Sequence, residues 1–365
     1  MRIVVKLGTS TLTAGTNHIS APVLIGIAHQ AQVLQKAGHQ IVIVSSGAMA
    51  VGREKLGFPP LPKEIPAKQM LSALGQPRLM SLYEQLFDFY DLTVAQVLLT
   101  RADLNSRRSY LNARNTLLAL LDHGVIPVVN ENDTVATEEI RVGDNDNLSA
   151  LVANLVDADW LVLLTDQPGL FTADPRIAPD SKLVEEVSTA EIPAWLWQAA
   201  GGKGSGLGTG GMVTKLQAAD LARRSGATCL IADGGENDVL VRLVNGEKLG
   251  TRFLPVASAV ESRKRYILSA RRAPGALCVD QGAARALHQG SSLLPVGLVS
   301  VSGAFERGDT VRVLDPSEKE IARGIVNYSS RDLSQLIRRR SDEIETILGY
   351  NFGDEIIHRN NLVVL

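Results

Sequence analysis

Short apolar runs alternate with longer segments of helical spacing over the first two-thirds of the chain. Residues 3–5, 41–44, 94–98, 126–129, 161–164 and 229–232 are rich in Val, Ile and Leu, and Gly, Pro, Asp or Ser bounds them. Unbroken apolar runs of this length predict strands buried on both faces of a parallel sheet. Between them, Val23, Ile27, Ala31 and Leu34 share one helical face, as do Leu111, Leu117, Leu120 and Leu121. The alternation predicts a three-layer α/β sandwich with a mostly parallel sheet and helices on both faces. Ligands in such sheets bind beyond the carboxyl ends of the strands, so the loops after the strands are where chemistry is expected.

The alternation breaks twice. Residues 134–142 suggest a small hairpin. Residues 246–265 carry Gly, Pro and the basic run Arg263-Lys264-Arg265, and read as a linker. Beyond them, residues 276–279, 298–302, 310–314 and 321–326 are short strands divided by Gly or Asp turns, which predicts a small mixed β domain of under about 100 residues. The expected boundaries are 1–250 for the α/β domain, 251–273 for the linker, 274–352 for the β domain and 353–365 for a C-terminal tail.

Composition fits this division. The 365 residues exceed the usual limit of one core. Few aromatics (4%) with many glycines (32) suit an α/β enzyme with tight loops better than a β-sandwich. A net charge of −2 gives no overall bias toward polyanions. Cys229 and Cys278 lack metal-ligand spacing and read as buried thiols of a reducing compartment. No signal peptide is visible, and no apolar stretch approaches the roughly 18 residues of a membrane span. A cytoplasmic protein with no membrane partner is expected.

Three motifs lie at predicted strand ends. In Val4-Val5-Lys6-Leu7-Gly8-Thr9-Ser10 a lysine ends the first strand and a glycine turn follows. Such a turn with one ammonium makes an anion site, although a surface lysine beside an ordinary turn reads the same way. In Gly204-Ser-Gly-Leu-Gly-Thr-Gly-Gly-Met-Val-Thr-Lys215 the glycines run into a predicted helix over 212–224. Its free N–H groups and dipole favour a phosphate, and Lys215 stands in the first turn. No Gly-Lys-Ser/Thr ends this loop, so it is not a Walker loop. Gly206, Gly208 and Gly211 match a dinucleotide fingerprint, but no strand precedes them. In the third motif, Thr165 and Asp166 end a strand before a Pro-Gly turn. A ligand site and a capped turn are equal readings there.

The acceptor side is read from Ser45-Ser46-Gly47, Asn130-Glu-Asn-Asp133 and Gly143-Asp-Asn-Asp-Asn147. Short carboxylates, amides and hydroxyls can hold a zwitterion; helix capping accounts for part of the 144–147 run. None of the six histidines falls in these loops. A carboxylate acceptor is already ionised at neutral pH, given a pKa of about 4.3 for Glu, and needs no general base. It needs relief of repulsion between two anions.

With these residues in place, the chain resembles the amino acid kinase family, and within it the members that phosphorylate glutamate. The matching blocks span nearly the whole chain: VVKLGTS, IVIVSSGAMAVGRE, QVLLTRADL, NARNTLLALL, PVVNENDTVA, VGDNDNLSALVA, LLTDQPGLFTADPR and GLGTGGMVTKLQAAD. Relatives acting on acetylglutamate, aspartate, carbamate or uridylate share the core but not these acceptor loops. The resemblance implies ATP and L-glutamate as substrates, L-glutamyl 5-phosphate as product, Mg²⁺ as cofactor, and the first step of proline synthesis. It implies that Lys6 and Lys215 stabilise the transferring phosphoryl group, and that Ser46, Asp133 and Asn145 bind glutamate. Lys6, Gly8, Thr165, Asp166, Thr209, Gly210, Gly211, Met212, Val213, Thr214 and Lys215 would bind ATP. No residue is expected as a metal ligand, since Mg²⁺ would come mainly through the ATP phosphates. Inhibition by proline, a homo-oligomer (dimer or tetramer) and handover to the glutamyl phosphate reductase also follow from the resemblance. Residues 275–351 resemble a PUA domain, a module that elsewhere binds RNA. Here its basic run Arg338–Arg340 is followed by Asp342, Glu343 and Glu345. A solvated helix face explains that run as well as an RNA site does. Two departures from the family pattern are mild: Ser45 before Ser46, and the variable segment 199–203.

Overall fold

The apolar runs become strands because Val, Ile and Leu stand on both faces, and a sheet covered on both sides buries them; the run over 94–99 departs from this, being only partly buried at the edge of the sheet. The structure is a computed structural model, and it describes residues 1–60, 64–136, 145–175, 177–201, 211–256 and 273–365. The chain divides into two units, residues 1–105 with 112–259 and residues 106–111 with 260–365.

In the first unit, β1 (Arg2–Leu7), β2 (Gln40–Val44), β3 (Val94–Leu99), β4 (Ile126–Glu131), β5 (Trp160–Thr165), β6 (Glu186–Val187), β7 (Thr228–Asp233) and β8 (Thr251–Phe253) form one sheet in the order β3-β4-β2-β1-β5-β7-β8-β6. From β3 to β7 every pairing is parallel, and β8 runs antiparallel to β7. The six predicted strands of this unit are all present. Strands β6 and β8 are too short to show a periodicity, and β8 falls where the linker was expected to begin.

Helices α1 (Thr9–Thr13), α2 (Ala21–Lys36), α3 (Ala48–Lys55), α4 (Ile65–Asp88), α5 (Arg101–Asn105), α6 (Arg107–Asp122), α7 (Asn145–Leu155), α8 (Ala194–Ala199), α9 (Met212–Arg224) and α10 (Val239–Val244) connect the strands. Ile3, Val5 and Leu7 of β1 face a core built with α2, α4 and α10. Side chains alternate along a strand, so Val4 and Lys6 point to the other face. There α7 and α9 pack against β1, β5 and β7. Ser20 caps α2, accepting from the Val23 N–H, with a proline in the first turn. The expected hairpin over 134–142 falls largely outside the described residues.

Two glycines set the approach of α3 to α4. A Cβ on Gly75 would overlap the carbonyl oxygen of Ala48, and one on Gly52 would overlap that of Leu71. The obstacle is backbone on both sides, which cannot swing away. Gly75→Ala is therefore expected to lower stability at the upper end of the ~1–3 kcal/mol cost of overpacking. Gly26→Ala, in α2 with nothing within 4 Å of its added Cβ, is expected to be neutral or to gain up to about 1 kcal/mol of helix propensity. Urea midpoints of the two variants check the contrast.

In the second unit β9 (Gly275–Val279), β10 (Leu298–Gly303), β11 (Thr310–Leu314), β12 (Glu320–Ile325) and β13 (Leu362–Val364) form a mixed sheet in the order β10-β9-β11-β12-β13. The expected tail is part of this fold: β13 pairs with β12, and Ile356 and Ile357 are buried in the unit's core. Its pattern was hidden because the 3-residue strand follows a loop. Each arginine of the basic run faces a carboxylate: Arg338 meets Asp280, Arg339 lies 3.8 Å from Glu343 and Arg340 3.4 Å from Asp342.

Candidate active site

Four polar residues meet at the carboxyl end of β1, on the face covered by α7 and α9. Lys6 leaves the strand on that face. Its Nζ lies 2.6 Å from Oδ1 of Asp146, in the first turn of α7. Lys215, in the first turn of α9, brings its Nζ to 3.3 Å from Oδ2 of the same carboxylate. The Thr214 hydroxyl lies 2.7 Å from that Oδ2 and can donate to it. Asp146 is 2% exposed, Lys6 6% and Lys215 8%. Burial alone would push the Asp146 carboxyl up, but Lys6 and then Lys215 outweigh it and hold the group below its ordinary value. Attraction of about 5 kcal/mol per contact at an effective dielectric of ~20 is comparable to the several kcal/mol each buried ion costs. Asp146 thus keeps two ammonium groups converged that would otherwise repel.

Asp146 is the residue that sequence reasoning passed over, because the 144–147 run reads partly as capping. A signal existed: two buried lysines placed together require a counter-charge, and this run opens the helix nearest them.

The rest of the phosphate side is built from backbone. Gly211 is the N-cap of α9 in an extended conformation, with no side chain capping it. Met212 and Val213 follow, half-buried, and their turn presents helix N–H groups and the positive dipole end. Thr209 and Gly210 lie outside the described residues. Gly8 is also extended, at φ −73°, so its conformation does not demand glycine. Nor does space demand it: a Cβ there would stand 3.5 Å from Lys6 Nζ and 3.7 Å from the Leu164 carbonyl, ordinary van der Waals contact, although it would lie against the lysine head. Leu7 pairs with Leu164 in the β1–β5 register, which puts Gly8 beside Thr165. Thr165 is buried and its hydroxyl donates to Asp166 Oδ1 at 3.1 Å; Asp166 is exposed.

The acceptor side gathers Ser46 and Asn145 directly. Nδ2 of Asn145 donates to the Ser45 carbonyl (2.8 Å), to Ser46 Oγ (3.0 Å) and to Asn130 Oδ1 (3.0 Å). Its donor is thereby committed to protein, and the polar atom left to offer a ligand is Oδ1, an acceptor. Asp133 enters through a different partner, accepting from Ser72 Oγ of α4 at 2.6 Å. Burial raises the Asp133 carboxyl above its ordinary value, and the Ser72 hydroxyl offsets part of that. Ser45 Oγ lies 2.9 Å from the Tyr83 hydroxyl. Ser72, Gln76 and Tyr83 fall on one face of α4. Those polar side chains are buried on the helix face that also carries Leu71, Leu79 and Phe87, a signal the sequence carried.

Comparison with known proteins identifies the family. Residues 1–233 match the model of the Amino acid kinase family, and residues 275–348 match that of the PUA domain. The larger unit therefore belongs to the amino acid kinase family. Curated relatives named glutamate 5-kinase match along the whole chain. That of Photobacterium profundum is 55% identical over 364 residues, covering 100% of this chain and 96% of the relative. That of Herpetosiphon aurantiacus is 53% identical over 364 residues, covering 100% and 98%, and that of Shewanella amazonensis is 52% identical over 365 residues, covering 100% and 96%. The chain belongs to the glutamate 5-kinase family of enzymes. No helix among the described residues is long and apolar enough to cross a membrane.

Proposed function

We propose that the enzyme transfers the γ-phosphoryl group of ATP to the side-chain carboxylate of L-glutamate, the first step of proline synthesis. The observation that carries this is the pair of buried lysines on one buried carboxylate, beside a pocket of amides and hydroxyls that contains no histidine among the described residues. A carboxylate oxygen of glutamate attacks the γ-phosphorus, the bond to the β–γ bridging oxygen breaks, and ADP and L-glutamyl 5-phosphate result. No proton needs to move. Lys6 and Lys215 offset charge on the transferring group, and the α9 N–H groups hold the nucleotide's phosphates. Among the described residues no three His, Cys, Asp or Glu side chains cluster as metal ligands. Lysines and N–H groups suit phosphate oxygens, so Mg²⁺ fits as a passenger of the nucleotide. Bound there, it would supply further charge neutralisation.

On the acceptor side, Asn145 Oδ1 and Asp133 suit the α-ammonium, and Ser46 Oγ suits a carboxylate. Asp133→Ala is expected to raise the KM for glutamate about 10- to 100-fold, the worth of a hydrogen bond to a charged group, with the ATP KM far less affected. The carboxylate must be ionised to hold an ammonium. Because burial raises its pKa, glutamate affinity of the parent should begin to fall while pH is still above the ordinary value of 3.8, and Asp133→Ala should lose that dependence. Steady-state KM measured against pH checks both.

Proline carries an α-carboxylate like that of glutamate and a cationic, though secondary, α-ammonium, which supports its action as an inhibitor near this site. A cytoplasmic location, a homo-oligomer and handover to the glutamyl phosphate reductase complete the proposal. ADP release measured over a panel of acidic amino acids, with and without proline, tests it. Glutamate-dependent release inhibited by proline is expected. Release indifferent to glutamate would overturn the assignment.

A further inference from the structure

We infer that Gln76, which no substrate-side motif contains, is a positioning residue that holds Asn130, and through it Asn145, in place on the acceptor side. Its evidence is a chain of side-chain amides. Gln76 Oε1 accepts from Asn130 Nδ2 at 2.8 Å. Asn130 Oδ1 accepts from the Glu131 N–H at 2.9 Å and from Asn145 Nδ2 at 3.0 Å. Asn145 Nδ2 also donates to the Ser45 carbonyl at 2.8 Å. At its far end Gln76 Nε2 donates to Gln96 Oε1 at 3.4 Å, a long and weak contact.

An amide can flip end for end, and its orientation is decided by its partners. Here two backbone groups of unambiguous sense decide it. The Glu131 N–H can only donate, so Asn130 must present Oδ1 to it. The Ser45 carbonyl can only accept, so Asn145 must present Nδ2. Asn130 Nδ2 then faces a partner that must accept, and Gln76 Oε1 is that partner. Gln76 is 9% exposed and Asn130 2%, so water does not readily replace either. With the chain intact, Asn145 offers its carbonyl oxygen to the substrate. With it broken, Asn130 Nδ2 loses its acceptor while the Glu131 N–H still holds Oδ1, so the Asn130 side chain is displaced rather than flipped, and the Asn145 amide bound to that Oδ1 is displaced with it.

The inference rests on the glutamate reading given above, and the test separates the two. Gln76→Glu and Gln76→Lys both place a charged group at the same buried position, so their folding costs are shared. They differ in sense: the glutamate can still accept from Asn130, whereas the lysine can only donate. Gln76→Lys is expected to raise the KM for glutamate about 10-fold or more relative to Gln76→Glu, the equivalent of one buried hydrogen bond left unmade. The ATP KM should stay within about twofold of the parent in both, since the phosphate side shares none of these amides. Equal glutamate KM values for the two variants, or ATP and glutamate KM values rising together with a lowered Tm, would overturn the inference by showing a packing role only. Should either charged variant fail to fold, Gln76→Met against the parent reads the same split between the two KM values. The parent is assayed first on the panel of acidic amino acids. If another acceptor replaces glutamate, the functional reading falls and the same ratios are read on that acceptor. If none is turned over, both fall.

Discussion

Lys215→Ala is expected to lower kcat by at least about 100-fold, as the loss of one transition-state donor does elsewhere. The reaction joins two anions, so its barrier is largely electrostatic. The lysine stands in the first turn of α9, where the dipole and N–H groups add to its charge. Lys6 alone cannot replace it, because each lysine occupies its own oxygen of Asp146. The change should fall on kcat more than on the KM for ATP, since charge on the transferring group is greatest in the transition state. Steady-state kinetics at saturating ATP measures it. A variant retaining parental kcat would remove Lys215 from the mechanism.

Asp146→Asn should be nearly as damaging, for a different reason. The substitution keeps shape and removes charge, leaving two buried ammonium groups without their shared counter-ion. Breaking a buried pair costs about 3–5 kcal/mol, which for a unit of this size corresponds to a fall in Tm of roughly 10 °C. Activity should fall by at least about tenfold because the lysines separate. Two accompanying signs distinguish this account from general damage. ATP should raise the Tm of the variant more than that of the parent, because its phosphates supply the missing negative charge. The acid response should change as well. The folded pKa of Asp146 lies below the ordinary 3.8. Its stabilising contribution is therefore present above that pH and lost as pH falls through the depressed value. The variant should lack this part of the parent's acid sensitivity. Parental Tm and kcat in Asp146→Asn would sink the proposed role.

Much of the sheet was legible because a strand buried on both faces must be written as a continuous apolar run. The α9 helix was legible to its ends, since glycines precede Met212 and Arg223 and Arg224 close it. The short strands β6, β8 and β13 were not, because two or three residues carry no period. The candidate site divided in the same way. Lys6 at the end of a strand, Ser46 in the loop after one, and Asn145 and Lys215 at the heads of helices announce themselves by position, and the structure brings them into two neighbouring clusters. Asp146 and Gln76 did not. Each matters through a partner distant in sequence, and a buried polar residue inside a helix looks like a cap or a misplaced surface residue until its partner is known. Asp133 was named as a candidate from its loop, but its tie to Ser72 was out of reach for that reason.

Asn145 and Asp146 are consecutive residues at the head of α7, one bound into the acceptor pocket and the other holding both lysines. Their Cα atoms are about 3.8 Å apart across one rigid peptide plane. Selectivity and turnover are therefore geared together. A change that tilts this turn to admit a bulkier acceptor also shifts the carboxylate on which the lysines converge. Broadening the range of acceptors by substitution around Asn145 should slow turnover of the original one, and restoring speed would call for a second change on the α9 side.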